Sequence, residues 1–237
     1  MDIERPAKPT MNTDGFLTRI QSKIQEQIAE VILLRDERSM KQDLSFVTRG
    51  DMMINEIIER TAHAEGCDIT VVTEESARHE VVSTQGYIVV VDPIDGTENF
   101  TSGLPEWGVS ISCFMDGRHV GSLLGCPELG VWIKSGDKIP KFYSRIRALS
   151  SSLKMEELIK ATQGHEYRIL GCCVYNMINV IRGSFLSFEN PKGAHSWDIL
   201  GGLNLALEHK LKVTVNDKEY SGEYLQADQK YRFRVEH

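Results

Sequence analysis

Apolar positions near the start of the chain repeat with the period of a helix. Over 16–35 they recur mostly three and four residues apart, which predicts a long amphipathic helix. A second stripe over 51–65 predicts another helix, and Gly66 ends it. We expect the residues before the first helix, 1–13, to form a flexible lead-in. The positions of the first stripe are Leu17, Ile20, Ile24, Ile28, Val31 and Ile32.

The middle of the chain changes to the short apolar runs that are typical of β-strands. Asp116 and Gly117 lie between two of these runs and mark a tight hairpin turn. The pattern predicts a mostly antiparallel sheet backed by the two early helices. The predicted strands are 69–73, 87–91, 109–115, 120–125 and 131–134.

The last third alternates helical and strand-like segments. We place a boundary near residue 145, which gives an N-terminal α+β half at 14–145 and a shorter C-terminal α/β half at 146–237. The predicted helices are 153–162, 172–181 and 197–209, and the predicted strands are 167–170, 184–188 and 211–215.

Length and charge narrow the class of protein. The chain has 237 residues, 41% of them hydrophobic, which is enough for a sizeable core. A formal net charge of −7 argues against binding to nucleic acid or to an anionic membrane surface. Neither a long apolar run nor a signal-peptide core is seen, so we expect a soluble, cytoplasmic protein. The five cysteines show no CxxC spacing and are interpreted as reduced thiols.

The strongest chemical signal lies where a buried strand ends in Asp92 and Asp95. Carboxylates at this density suit a hard cation such as Mg²⁺, and the carbonyl of Ile94 offers a neutral oxygen beside them. Gly96 and Thr97 follow, and their amides can face an anion if a helix begins there. A simple turn built from Asp-Pro and Asp-Gly is the alternative interpretation.

Three other acidic residues could complete such a centre. Glu74 follows the predicted strand 69–73, Asp51 lies three residues after Thr48, and Asp198 lies at the start of a late helix. Each has a simpler explanation when taken alone: a solvated loop, a helix cap, and an acidic residue favoured by the helix dipole.

The order of these motifs resembles the inositol monophosphatase family. The chain reads Val-Thr-Arg-Gly-Asp at 47–51, Thr-Glu-Glu-Ser at 73–76, Asp-Pro-Ile-Asp-Gly-Thr-Glu-Asn-Phe at 92–100 and Trp-Asp at 197–198. The resemblance covers roughly residues 14–210. It implies an α+β fold, a layered αβαβα sandwich of the inositol-monophosphatase and sugar-phosphatase type, with Mg²⁺ at the junction of its halves.

The same resemblance implies roles for individual residues. The metal ligands for two or three Mg²⁺ ions would be Glu74, Asp92, the Ile94 carbonyl, Asp95 and Asp198. The catalytic residues would be Asp51, Glu74 and Thr97, and the substrate contacts would be Gly96, Thr97 and Glu189. The implied partners are a small phosphorylated substrate and a second copy of the chain in a homodimer.

The hypothesis is therefore Mg²⁺-dependent hydrolysis of a sugar, inositol, nucleoside or amino-alcohol phosphate by an activated water, with Thr97 bonded to Asp51 or Glu74. Phosphatases that form an aspartyl phosphate use two Asp residues separated by one position, whereas Asp92 and Asp95 are three apart. A degenerate family member that binds a phosphorylated ligand without turnover stays open, because the C-terminal half departs from the family pattern.

Overall fold

The structure, a computed structural model, describes residues 11–40, 46–74, 81–161 and 166–237. Its helices are α1 Thr13–Leu33, α2 Arg49–His63, α3 Thr97–Thr101, α4 Met155–Ala161, α5 Cys173–Ile181 and α6 Ser196–Glu208. The N-terminal strands are β1 Arg38–Met40, β2 Phe46–Thr48, β3 Ile69–Thr73, β4 Tyr87–Asp95, β5 Gly108–Met115, β6 Arg118–Cys126 and β7 Val131–Lys134. The C-terminal strands are β8 Arg147–Leu149, β9 Tyr167–Arg168, β10 Ser187–Ala194, β11 Lys212–Val215, β12 Lys218–Glu219 and β13 Tyr231–Glu236.

The N-terminal sheet contains β3 to β7 in sequence order. Its first pair is parallel and the other three pairs are antiparallel, so the sheet is mostly antiparallel, as predicted. Side chains alternate across β4, so Val89 and Val91 pack against α1 and α2, whereas Ile88 and Val90 face the opposite side. The strand is buried on both faces because each face is covered by a helical layer.

The second helical layer consists of α5 and α6, which lie between the two sheets. Leu200 and Leu203 of α6 belong to the same core cluster as Phe233 and Val235 of the C-terminal sheet. That sheet has the order β12-β11-β13-β10-β8-β9. The layers therefore run helix, sheet, helix, sheet, and the predicted layered α+β class is confirmed.

Some predicted elements differ from those observed. The strand predicted at 184–188 is β10, which begins only at Ser187, because the N–H of Phe185 still donates to the carbonyl of Asn179 in α5. The strand β13 was not predicted, although its apolar and charged residues alternate. Residues 1–10 of the predicted lead-in lie outside the described residues. Met11 belongs to the fold, since its N–H donates to the hydroxyl of Tyr87 over 3.2 Å.

The predicted division near residue 145 falls between β7 and β8, the last strand of one sheet and the first of the other. As a boundary between folding units it stays a prediction. Among the described helices, none combines the length and the apolar content needed to cross a membrane.

Candidate metal centre and active-site cleft

Two acidic residues meet at the end of the parallel strand pair. Thr73 of β3 is the register partner of Val91 of β4, so Glu74 follows β3 at the point where β4 reaches Asp92. Glu74 is partly exposed and Asp92 is only 2% exposed. The parallel register therefore brings together the Glu74 and Asp92 that the sequence analysis assigned to one centre.

A break in the register of β4 brings Asp95 to the same place. In a regular strand, side chains three residues apart point to opposite faces. The pairing of β4 with β5 shifts between Asp92, opposite Ser110, and Asp95, opposite Gly108. Such an irregularity re-aims the side chains around it. The N–H of Ile94 donates to Oδ1 of Asp92 over 3.1 Å within this turn.

The C-terminal half supplies Asp198 in the first turn of α6. Its Oδ2 accepts a hydrogen bond of 2.8 Å from the N–H of His195, which fixes the carboxylate at the start of the helix. One carboxylate oxygen each from Asp92, Asp95 and Asp198 lies within 4.8 Å of the others. Both halves of the chain therefore contribute to one cluster of carboxylates.

The electrostatics of the cluster reflect crowding of like charges. Burial, with repulsion from Glu74 and Asp95, raises the pKa of Asp92 well above its usual range. Burial, followed by repulsion from Asp95 and Glu74, raises the pKa of Asp198 to about 7. Burial raises the pKa of Asp95 to about 6, against hydrogen bonds from Cys172 and Val174 that favour its ionised form. A bound cation would relieve this repulsion.

Asp95 also joins the two halves of the molecule. Its Oδ2 accepts bonds from the backbone N–H of Val174 over 2.5 Å and from the thiol of Cys172 over 2.9 Å. Val174 is the second residue of α5, so the carboxylate caps the positive end of that helix. The cysteines of the chain are all free thiols, as expected.

Asp51 and Thr97 occupy positions beside the cluster. Asp51 forms the capping box of α2, where its Oδ2 accepts from the N–H and the hydroxyl of Thr48 over 2.7 and 2.6 Å. Its charge also contributes to the raised pKa of Asp92. The hydroxyl of Thr97 donates to the carbonyl of Ile94 over 3.0 Å. A Thr hydroxyl at the start of a helix can reach the carbonyl three residues earlier, and the expected bond from Thr97 to Asp51 or Glu74 stays a prediction.

Gly96 lies between α3 and the turn that carries Asp92 and Asp95. It caps α3 with a φ of 81° and a ψ of 42°, a left-handed conformation that favours glycine. A Cβ at this position would lie 2.9 Å from the Cβ of Cys172. Its assignment to phosphate, with that of Thr97, stays a prediction.

The structure does not bring Glu189 to the cluster. Its carboxylate lies 3.5 Å from the guanidinium of Arg234 on β13, its register partner. The neighbouring residues of β10, Phe188 and Asn190, line the cleft instead. Alternation along the strand therefore separates Glu189 from the candidate site.

A cleft of about 200 Å³ adjoins Asp95 and Asp198, and its walls are mostly polar. Most of this lining is not recognisable from the sequence, because the residues come from separate loops and carry no motif. His195, three residues before Asp198, also lines the cleft. The other polar lining residues are Ser150, Ser151, Ser152, Cys172, Cys173, Asn176, Asn190 and Lys230.

Comparisons with solved structures agree with this architecture. A structure of an IMPase/NADP phosphatase, complexed with NADP and Ca²⁺, superimposes with a TM-score of 0.78 at 18% identity, covering 94% of this chain and 90% of that one. An IMPase of Thermotoga maritima gives 0.76 at 22% identity, covering 95% and 92%. At these identities the likeness shows the fold.

Sequence comparisons point to the same group. The Nus factor SuhB of Salmonella typhimurium is 39% identical over 82 residues, which are 35% of this chain and 30% of the relative. The match thus spans less than a third of the length of that curated relative. A family model described as the inositol monophosphatase family matches residues 13–147, more than half of the chain. The chain belongs to the inositol monophosphatase family.

Proposed function

We propose that this protein is a Mg²⁺-dependent phosphatase that hydrolyses a small phosphate monoester. The observation that carries the proposal is the convergence of Asp92, Asp95 and Asp198, from both halves of the chain, at the edge of a polar cleft. Glu74 and Asp51 add negative charge beside this cluster. The family and its phosphatase members support the reaction class.

The donor set fits a hard divalent cation. Carboxylate oxygens are the ligands that Mg²⁺ prefers, at about 2.0–2.1 Å, so ligands on opposite sides of one ion lie about 4.2 Å apart. The observed oxygens lie within 4.8 Å of one another. Small movements would bring these oxygens to the distances that an ion requires. The ion would be held by Asp92, Asp95 and Asp198, together with Glu74 and the Ile94 carbonyl. A bound Mg²⁺ supplies charge stabilisation to phosphoryl oxygens and acidifies water.

The protein side chains then have distinct tasks. Asp51 and Thr97 lie where they can orient a water molecule, Asp51 with its negative charge and Thr97 with a hydroxyl held by Ile94. The cap at Gly96 presents backbone amides near the turn, which supports its assignment to the phosphate. These roles require accurate positions more than shifted pKa values.

The cleft favours a small and polar alcohol. Its volume of about 200 Å³ is below the ~300–1,000 Å³ of pockets for drug-sized ligands. Serine hydroxyls at 150–152 and the amides of Asn176 and Asn190 offer hydrogen bonds to substrate hydroxyls. Lys230 brings a positive charge to the wall, which suits an anionic substrate. The homodimer stays a prediction.

The deciding experiment measures phosphate release from a panel of sugar, inositol, nucleoside and amino-alcohol monophosphates, with and without Mg²⁺. Asp92→Asn is the test variant, and Asp116→Asn, in the β5–β6 hairpin turn, is a matched control of the same chemistry. We expect Mg²⁺-dependent release that Asp92→Asn abolishes and Asp116→Asn retains. Near wild-type activity in folded Asp92→Asn would remove the metal-centre proposal.

The same experiment separates the alternatives. A phosphorylated Asp92, trapped by acid quench, would indicate a covalent aspartyl-phosphate mechanism instead. Mg²⁺ binding by calorimetry without release from any substrate would favour a member that binds phosphorylated ligands without turnover.

A further inference from the structure

The bond between Cys172 and Asp95 has a consequence beyond capping α5. Oδ2 of Asp95 accepts two hydrogen bonds, from the thiol of Cys172 over 2.9 Å and from the N–H of Val174 over 2.5 Å. Cys172 is 2% exposed and Asp95 is 9% exposed, so water competes little for these bonds. Two donors on one oxygen fix the plane of the carboxylate and therefore the direction of its other oxygen.

Cys172 is itself held in place from two sides. The N–H of Tyr175 donates to its sulfur over 3.2 Å, and Cys172 is the N-cap of α5 with φ −134° and ψ 123°. On the other side Cys172 lies against Gly96, where an added Cβ would approach its Cβ to 2.9 Å. The thiol therefore links the first turn of α5 to the turn that carries the carboxylates.

We propose that Cys172 is a positioning residue for the metal centre. Its thiol orients the carboxylate of Asp95 towards Asp92 and Asp198 and so raises the affinity for a divalent cation. The inference rests on the proposed function, because it concerns the same cluster. Partners of metal ligands typically change metal affinity by 10–100-fold when they are removed.

The donor strength of the side chain at position 172 allows a specific test. A thiol is a weak hydrogen-bond donor, and a hydroxyl at the same position donates more strongly. Serine should therefore replace Cys172 without loss of Mg²⁺ affinity. Alanine removes both the bond to Asp95 and the acceptor for the N–H of Tyr175. Side-chain size alone would not distinguish serine from alanine in this way.

The test measures the Kd of Mg²⁺ by calorimetry for the wild type, Cys172→Ala and Cys172→Ser. Cys113→Ala is the matched control, because Cys113 is a fully buried thiol in β5 that is paired with Val89 and Gly121. We expect binding about tenfold weaker in Cys172→Ala and a Kd within about threefold of wild type in Cys172→Ser and Cys113→Ala. Once Mg²⁺ exceeds the new Kd, the rate of Cys172→Ala should recover.

Each outcome bears on the inference. An unchanged Kd in Cys172→Ala, or an equal loss in Cys172→Ser, would overturn it, because the hydrogen bond would then not set the affinity. Should the alanine variant fail to fold, Cys172→Val, which lacks the donor and keeps an apolar volume, takes its place. A wild-type chain that binds no divalent cation would overturn the proposed centre and this inference with it. If the wild type binds Mg²⁺ and the variants bind it with the same Kd, only the inference about Cys172 is overturned.

Discussion

The substitution Gly96→Ala tests the packing that holds the turn carrying Asp92 and Asp95 against the start of α5. Gly96 has a φ of 81°, and an alanine in the left-handed region costs about 1–2 kcal/mol. The added Cβ would also meet the Cβ of Cys172 at 2.9 Å and the carbonyl oxygen of Gly171 at 3.4 Å. Overpacking of this kind adds about 1–3 kcal/mol. We therefore expect Gly96→Ala to lower the free energy of unfolding by about 2–5 kcal/mol in total.

Gly66→Ala separates the two contributions. Gly66 has a similar φ of 69°, but nothing lies within 4 Å of a Cβ added there. Gly66→Ala should lower the free energy of unfolding only by the backbone contribution of about 1–2 kcal/mol. Thermal and urea unfolding of both variants measure the difference, and each kcal/mol corresponds to about 2–4 °C for a chain of this size.

The two variants should also differ in function. Gly96→Ala displaces Cys172, which donates to Asp95, so Mg²⁺ binding should weaken together with stability. Gly66→Ala should bind Mg²⁺ like the wild type. Equal losses of stability in the two variants, within about 0.5 kcal/mol, would refute the close contact between Gly96 and Cys172.

Three further outcomes are expected. In protein stripped of divalent cations, the pKa of Asp198, raised to about 7 from ~3.9 in the unfolded chain, makes thermal stability fall between about pH 4 and 7. Asp198→Asn should flatten this fall, and an unaltered profile would contradict it. Glu128→Ala should lower the free energy of unfolding in urea by about 2–3 kcal/mol, because Glu128 accepts two part-buried side-chain bonds from Arg35 and Trp107. Glu56→Ala, which removes an exposed ion pair, should lower it by less than about 0.5 kcal/mol. Lys230→Gln should raise KM about tenfold and leave kcat unchanged, because Lys230 lines the cleft. Lys218→Gln, on an exposed strand, should leave both unchanged, and equal KM values in the two variants would show that Lys230 does not bind the substrate.

The sequence predicts which N-terminal strand ends carry acidic residues, and there is a physical reason for this. Apolar runs at 69–73 and 87–91 identify two strands, and polar residues directly after them have to lie at a sheet edge. Glu74 and Asp92 therefore meet as soon as the strands pair in parallel. The irregularity that turns Asp95 to the same side is not visible in the spacing, which in a regular strand would separate the two Asp residues.

The C-terminal part was harder to predict because its contacts are distant in sequence. Cys172 lies 77 residues from Asp95, and neither a motif nor a helical period indicates that they meet. The strand β13 did carry a signal, since Tyr231, Phe233 and Val235 alternate with charged residues. Local patterns thus identify elements, whereas the cleft depends on how the elements pack.

The position of Asp95 couples the proposed metal centre to the fold. One carboxylate caps α5 and at the same time stands within 4.8 Å of the oxygens of Asp92 and Asp198. The cap favours its negative charge, whereas burial and the neighbouring carboxylates oppose it. A cation bound in the cluster would offset the repulsion on Asp95, while the hydrogen bond from α5 would remain. Binding would therefore strengthen the junction between α5 and the end of β4. The carboxylate of Asp95 therefore helps to hold the two halves together and also belongs to the candidate metal centre.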